Sequence, residues 1–215
     1  MATVILEKPR PHVTLISMNR PQRLNAMSIE LCLDLKGAFE HVTHDNDCRV
    51  VVLTGAGRAF CSGLDLKDHS MIPNIDGLTI PRIGPRAIRI YSQLIPIMRH
   101  LPQPIIAAVN GPAYGGGMCL TLGADLRIAS ESAVFNATGI VNGLTSTELG
   151  ASWLLPRLIG AAHANETCCS PAAASTPPRP CAWDWSRASC PTPKSWSARS
   201  VSPKACASTA RTAFR

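Results

Sequence analysis

An apolar run that leads into three consecutive glycines sets the narrowest limits on how this chain folds, and it lies within Pro104–Met118. Ile105–Val109 is apolar and rich in β-branched residues, which predicts a buried strand. Asn110-Gly111-Pro112 predicts a turn, and Gly115–Gly117 precede an apolar helical stretch. Glycines between a strand and a helix let the backbone approach a ligand, and the first N–H groups of a helix lack intrahelical partners. We expect either a site for an anion or a polarised carbonyl, or a tight turn without a ligand.

The chain before this stretch predicts two strands, one helix and a third strand. Residues 3–7 and 12–18 have strand patterns, with a proline-containing turn between them. Ser28 is a candidate N-cap for a helix that ends near residues 44–46. Residues 49–54 form a second buried apolar run, which continues into another glycine-containing segment.

Patterns elsewhere are weaker but still define elements. Glycine and proline mark loops and helix ends, and proline interrupts a helix because it lacks an N–H. The expected elements are a loop over 67–85, a helix over 88–100 broken near Pro96, short strands over 126–129 and 133–135, and a helix over 145–158 stopped by Gly160.

Length and composition indicate one domain among the 215 residues, with enough chain for a sizeable core. No apolar run approaches the roughly 18 residues that span a bilayer, and the N-terminus lacks the pattern of a signal peptide. We therefore expect a cytoplasmic protein whose nine cysteines are reduced. No metal is expected, because the C-terminal cysteines form no C-x-x-C pair and no histidine follows His163.

Residues 167–215 differ in character from residues 1–166. They contain seven prolines, nine serines and one valine, without leucine or isoleucine, so they cannot bury enough apolar surface to offset ordering entropy. Seven basic residues and one acidic residue give this segment +6 of the net charge of +7, so the charge does not indicate nucleic-acid binding. We expect a core over 1–166 and a low-complexity tail, which is either disordered or the product of an altered reading frame.

Four segments, in this order, resemble the crotonase superfamily, the enoyl-CoA hydratases and isomerases. The resemblance covers about Val4 to Glu166 and implies an α/β fold, the superfamily's ββα spiral, with its C-terminal helical region missing or replaced. The matching segments are Asn19–Met27, Ala59–Leu66, Pro104–Asp125 and Glu148–Gly160.

The resemblance implies that the chain stabilises the enolate of an acyl-CoA thioester. Leu64 and Gly116 match the positions whose backbone N–H groups form the family's oxyanion hole, although both segments are also compatible with plain turns. Further positions match residues that line coenzyme A: Arg23, Leu24, Ala26, Gly63, Asp65 and Leu66. Among their side chains, only Arg23 is expected to act, either on a phosphate or as a solvated surface residue.

The acid–base residues depart from the family pattern. Hydratases of this family use two glutamates, and the matching positions hold Cys119 and Gly139. A thiol in an apolar helix is expected to pack as a small hydrophobe, with a nucleophilic role as the alternative. Neither residue replaces a carboxylate in proton transfer.

Glu148 is the remaining candidate, because related members carry an acidic residue facing the pocket at this position. It would act as the single general base or acid. Thr145-Ser-Thr-Glu148 also matches a capping box, so Glu148 is equally expected to cap a helix. Asp65 and Asp68 are secondary candidates, better explained as loop or cap residues.

The leading hypothesis is an enoyl-CoA hydratase or isomerase of fatty acyl-CoA metabolism, in which one carboxylate favours isomerisation over hydration. The alternatives are a protein that binds CoA thioesters without turnover and an inactive truncated product. No cofactor is expected, since coenzyme A is part of the substrate. The family implies a homotrimer or hexamer, provided that the core suffices for assembly.

Overall fold

The computed structural model describes residues 2–68, 72–138 and 148–169. Its strands and helices alternate along the chain, as expected for an α/β protein. The strands are β1 Val4–Arg10, β2 Val13–Met18, β3 Val50–Gly55, β4 Ile105–Val109, β5 Ala113–Tyr114, β6 Leu126–Ala129 and β7 Phe135–Asn136. The α-helices are α1 Ile29–Thr43, α2 Ile80–Ser92, α3 Leu94–His100, α4 Gly116–Gly123, α5 Ala151–Ile159 and α6 Ala161–Cys169. Pro21–Arg23 and Glu148–Gly150 form single turns of 3-10 helix.

The main sheet has the strand order β1-β2-β3-β4-β6. β1 pairs antiparallel with β2, and the remaining pairs are parallel. Alternate residues of the central strands point into the core with the helices, for example Ile16, Leu53 and Ala107, which are fully buried. β5 and β7 form a second, two-stranded parallel sheet just beyond the end of β4.

Helix α1 forms as predicted. Ser28 is its N-cap and accepts a hydrogen bond from the Leu31 N–H at 3.1 Å. Leu31, Leu35 and Phe39 recur at helical spacing and are fully buried, so this face of the helix packs on the sheet. The helix ends at Thr43, in agreement with the predicted stop.

Three element boundaries differ from the prediction. α2 begins at Ile80, inside the segment expected to be a loop. The break between α2 and α3 lies at Gln93 rather than at Pro96, because Pro96 has no N–H to donate to the preceding turn. β1 continues through Pro9, which is tolerated because β1 is an edge strand with an irregular register there.

The last two helices also differ from the prediction. α5 begins at Ala151 with Gly150 as its N-cap, so the expected helix over 145–158 starts later than predicted, and residues 145–147 lie outside the described part of the chain. α6 extends to Cys169 and crosses the expected boundary at residue 166. None of the described helices is long and apolar enough to cross a membrane.

Candidate functional site

Residues 61–65, here called the central segment, pair with Met27 on one side. The Met27 N–H donates to the Gly63 carbonyl at 2.7 Å, and the Asp65 N–H donates to the Met27 carbonyl at 3.0 Å. In an extended parallel pair these two bonds flank Leu64, so the peptide N–H of Leu64 points away from Met27. The hydrogen bonds of the described residues include no acceptor for this N–H.

The other side of the central segment faces the turn between β5 and α4. The Tyr114 N–H donates to the Cys61 carbonyl at 2.9 Å. Gly63 has φ +89°, and a Cβ there would lie 2.8 Å from the Tyr114 carbonyl oxygen and 3.5 Å from the Gly116 nitrogen. The positive φ and the short distance to the Tyr114 carbonyl both disfavour any side chain at position 63. Gly63 therefore lies directly against Gly116.

The glycine triplet opens helix α4. Gly115 is its N-cap, with φ 48° and ψ −117°, and it makes no side-chain capping bond. The N–H of Gly116 is the first of the helix and has no intrahelical acceptor. No described residue accepts a hydrogen bond from it. A Cβ on Gly116 would lie 2.5 Å from the Met27 sulfur, so the helix start is packed against the segment that also pairs with Leu64.

Among the described residues, Leu64 and Gly116 thus present backbone N–H groups without an acceptor, on adjoining segments. Both follow parallel strands of the main sheet, β3 and β4, whose carboxyl ends lie at the same edge. A helix N-terminus adds partial positive charge beside the second donor. Such an arrangement is suited to binding an oxygen atom that gains negative charge.

Arg23 and Asp65 are joined to each other in the structure. Arg23 Nη2 donates to Asp65 Oδ1 at 2.8 Å, and Arg20 Nη2 forms an ion pair with Asp65 Oδ2 at 3.0 Å. The Asp65 side chain is only 4% exposed. Burial opposes its ionisation, but hydrogen bonds from Arg23 and from the Lys67 N–H, together with the ion pair to Arg20, outweigh burial and lower the pKa of Asp65. Arg23 is ion-paired and its side chain is 38% exposed, and both expectations for it, a phosphate contact or a surface role, stay predictions.

The remaining positions matched to the coenzyme A contacts differ in exposure. Ala26 is buried, and Leu24 is partly buried in a left-handed conformation with φ 51°. Leu66 is 68% exposed and Leu64 is 41% exposed. Exposed apolar side chains at this edge are available to an apolar ligand, whereas Ala26 contributes packing.

Two buried asparagines that sequence reasoning missed hold the loop after β3. The Asn25 amide donates to the carbonyls of Ala56 and Ala59, each at 2.9 Å, and its oxygen accepts from the Arg20 N–H. The Asn110 amide donates to the Gly57 carbonyl at 2.9 Å. Polar residues directly after an apolar strand, as Asn110 is, were the available signal, since a buried amide requires partners.

The three positions considered for proton transfer, 119, 139 and 148, lie in different surroundings or outside the described residues. Cys119 is 4% exposed within the core cluster, which supports the packing interpretation. Gly139 lies outside the described residues. Glu148 opens the turn that precedes α5, so it is not the third residue of that helix, and the predicted N-cap Thr145 lies outside the described residues. The next residue, Leu149, places a methyl carbon 4.0 Å from the position of a Cβ on Gly116, so the turn adjoins the helix start.

Asp68 has a capping role. Its Oδ2 accepts a hydrogen bond from the Ile29 N–H at 2.7 Å, at the first turn of α1. A negative charge at that position also complements the helix dipole. Within the described ranges no cluster of three or more histidine, cysteine or acidic side chains is arranged to hold a metal ion.

Comparison with known proteins identifies relatives over the whole described core. The sequence profile of the family described as enoyl-CoA hydratase/isomerase matches residues 10–175. A probable enoyl-CoA hydratase of Mycobacterium bovis, echA12, is 51% identical over 77% of this chain and 58% of that protein. The 1,2-epoxyphenylacetyl-CoA isomerase of Escherichia coli is 39% identical over 76% of this chain and 61% of that protein.

Solved structures give the same result for the fold. A probable enoyl-CoA hydratase/isomerase from Mycobacterium abscessus matches with a TM-score of 0.73 and 46% identity, over 78% of this chain and 62% of that chain. A monofunctional enoyl CoA isomerase from M. smegmatis matches with a TM-score of 0.62 and 41% identity, over 78% of this chain and 67% of that chain. The predicted superfamily and its α/β fold are confirmed. This chain spans about three fifths of the length of the curated relatives it matches.

Proposed function

Because the chain belongs to the enoyl-CoA hydratase/isomerase family, we propose that it binds an acyl-CoA thioester and stabilises the enolate formed from it. The observation that carries this proposal is the pair of unpaired N–H groups of Leu64 and Gly116 on adjoining segments. The thioester oxygen would accept a hydrogen bond from each. Each donor contributes about 3 kcal/mol of transition-state stabilisation, because the negative charge on that oxygen grows as the reaction proceeds.

Proton transfer is assigned to Glu148, which begins the turn adjoining Gly116. Its carboxylate would remove a proton from the carbon next to the thioester of a 3-enoyl-CoA, and the electron pair would move onto the thioester oxygen. The resulting carboxylic acid would return the proton to the carbon two positions further along. The double bond moves into conjugation, and neither a second acid nor a cofactor is consumed.

Isomerisation fits this chain better than hydration. Adding water requires a second group to activate it, and the two family positions hold Cys119, which is packed in the core, and Gly139, which has no side chain. The names of the relatives include both activities: a monofunctional enoyl CoA isomerase at 41% identity and a probable enoyl-CoA hydratase at 51%.

A second function, CoA-thioester binding without turnover, is favoured by the same burial of Cys119. Absorbance of the conjugated thioester distinguishes the two, because isomerisation of a 3-enoyl-CoA creates that chromophore and binding does not. Calorimetric titration with a saturated acyl-CoA detects binding in either case. Binding without a change in absorbance would establish the second function.

The replacement Glu148→Gln tests the assignment of the base. We expect kcat to fall by about 100-fold or more, since the amide cannot accept the proton, while the dissociation constant of a saturated acyl-CoA changes little. Glu131→Gln is the matched control, because Glu131 is an exposed acid in the turn after β6. Unchanged turnover in Glu148→Gln would show that another group moves the proton.

A further inference from the structure

Asp65 connects the central segment to the segment before α1 through both its backbone N–H and its side-chain carboxylate. The Asp65 N–H donates to the Met27 carbonyl at 3.0 Å, and the Asp65 carboxylate contacts Arg23 at 2.8 Å and Arg20 at 3.0 Å. The same carboxylate accepts from the Lys67 N–H at 3.1 Å, which closes a turn directly after it. Asp65 thus connects two parts of the chain about 40 residues apart.

Arg20 extends this connection back to Met27. Its Nη1 donates to the Ala26 carbonyl at 2.5 Å, and its own N–H donates to the buried Asn25 side chain at 2.9 Å. Asp65, Arg20, Ala26 and Met27 therefore form a closed ring of contacts. Because a buried carboxylate is costly without counter-charges, the two arginines and Asp65 depend on one another for their positions.

The peptide between Gly63 and Leu64 adjoins this ring through the hydrogen bond from the Met27 N–H to the Gly63 carbonyl. Its direction is set by the two Met27 bonds, one to the Gly63 carbonyl and one from the Asp65 N–H. The Leu64 side chain is 41% exposed and offers little packing to hold it. The Asp65 N–H supplies the second of these Met27 bonds, so a shift of Asp65 would change the orientation of the adjoining Leu64 peptide.

We propose that Asp65 is a positioning residue that aims the Leu64 N–H at the thioester oxygen, with Arg20 and Arg23 as its counter-ions. This inference rests on the proposed function, because it presupposes a thioester oxygen between Leu64 and Gly116. Arg23 then acts through Asp65 and not on a coenzyme A phosphate. Asp65 touches no reacting atom.

The test is the infrared carbonyl stretch of a bound acyl-CoA that carries ¹³C at the thioester carbon. Hydrogen bonds to the carbonyl lower its frequency, so the shift reports the oxyanion donors without any turnover. In the unchanged chain we expect a lowered frequency relative to free acyl-CoA. In Asp65→Asn we expect this shift to be reduced and kcat/KM to fall on the order of 100-fold, as for a misplaced catalytic group.

Asp45→Asn is the matched control. Asp45 is also ion-paired, with Lys8 at 2.9 Å, and also accepts from a backbone N–H two residues later, that of Asp47, at 3.1 Å. It lies before β3, at the opposite end of that strand from the central segment. The carbonyl frequency and kcat/KM of this variant should equal those of the unchanged chain.

Arg23→Gln is the second variant, for use if Asp65→Asn does not fold. It should fold, because the Arg23 side chain is 38% exposed and Arg20 remains paired with Asp65. We expect a smaller carbonyl shift with unchanged affinity for free coenzyme A. Weakened affinity for free coenzyme A with an unchanged carbonyl frequency would identify Arg23 as a phosphate ligand and overturn the inference.

The two proposals fail in different ways. An unchanged chain that binds acyl-CoA without any carbonyl shift would refute the oxyanion site, and the role of Asp65 with it. A normal shift in the unchanged chain that persists in Asp65→Asn would refute the positioning role alone.

Discussion

Asp65 illustrates how a residue's surroundings decide its chemistry. Its carboxylate is almost fully enclosed, yet a hydrogen bond from Arg23, one from a backbone N–H and the ion pair with Arg20 lower its pKa. An anion stabilised in this way is a weak base, because accepting a proton would forfeit those contacts. Asp65 is therefore better explained as a structural anion than as a proton-transferring group.

Gly63 is a residue at which a single added methyl group should be destabilising. Its φ is +89°, and an added Cβ would lie 2.8 Å from the Tyr114 carbonyl oxygen. We expect Gly63→Ala to lower the free energy of unfolding by about 1–3 kcal/mol, measured by urea denaturation.

Gly37→Ala is the control for that prediction. Gly37 lies inside α1, and an added Cβ there meets no atom within 4 Å. Alanine has the higher helix propensity, so this variant should be more stable by roughly 0.5–1 kcal/mol. Equal effects of the two replacements would contradict the close approach of the central segment to Tyr114.

At the scale of elements, helices α1 and α4 have opposite N-terminal arrangements. Ser28 and Asp68 satisfy the first N–H groups of α1. α4 begins at a glycine that makes no side-chain cap, and no residue in the described ranges accepts a hydrogen bond from the Gly116 N–H. The first N–H groups are capped in α1, which stabilises that helix, whereas in α4 we propose that they bind a ligand.

The C-terminal end of α4 is stabilised by hydrogen bonds from a buried arginine. Arg127 on β6 is 7% exposed and donates from Nη1 to the carbonyls of Thr121 and Ala124, each at 2.9 Å. A cation at a helix C-terminus is favourable, because it meets unpaired carbonyls and the negative end of the dipole. Arg127 therefore anchors the helix whose opposite end presents the Gly116 N–H.

The cap of α1 can be tested by Ser28→Ala. We expect a loss of about 1 kcal/mol in the free energy of unfolding, since the Leu31 N–H loses its acceptor. Thr79→Ala is the control, because Thr79 occupies the N-cap position of α2 without a side-chain capping bond. The denaturant midpoint should fall in the first variant and stay nearly constant in the second, and equal midpoints would contradict the capping role of Ser28.

For the molecule as a whole, the donors, the two buried asparagines and the Asp65 ion pairs all belong to residues 19–116. The described chain adds α5 and α6, which pack on this core through Leu155, Ile159 and Ala164. A shortened chain that ends after Cys169 should therefore keep one cooperative thermal transition.

Ligand binding should stabilise the shortened chain and the full chain equally. A saturated acyl-CoA at 100 times its dissociation constant should stabilise each of them by about 2.7 kcal/mol.

Free coenzyme A is the control ligand, because it lacks the thioester oxygen and should stabilise both chains less at the same concentration. Differential scanning calorimetry measures both effects. A non-cooperative transition in the shortened chain would show that residues after 169 are required for the fold, and the expected boundary between core and tail would then be wrong.

Local patterns determined much of this protein. The β-branched run Ile105–Val109 and the cap at Ser28 depend on neighbours in the chain, so their strand and helix could be predicted from sequence. The glycines marked both turns, and the order of four matching segments along the chain indicated the family. Resemblance to that family also supplied Leu64 and Gly116 as candidates, which composition and periodicity alone would not have distinguished.

Only the tertiary structure decided which side chains meet. Asp65 lies about 40 residues from its arginines, and Asn110 lies more than 50 from the loop it holds, so no local pattern contains either contact. Sequence proximity fixes backbone preferences over a few residues, whereas buried charges and amides obtain their partners only where distant segments are packed together.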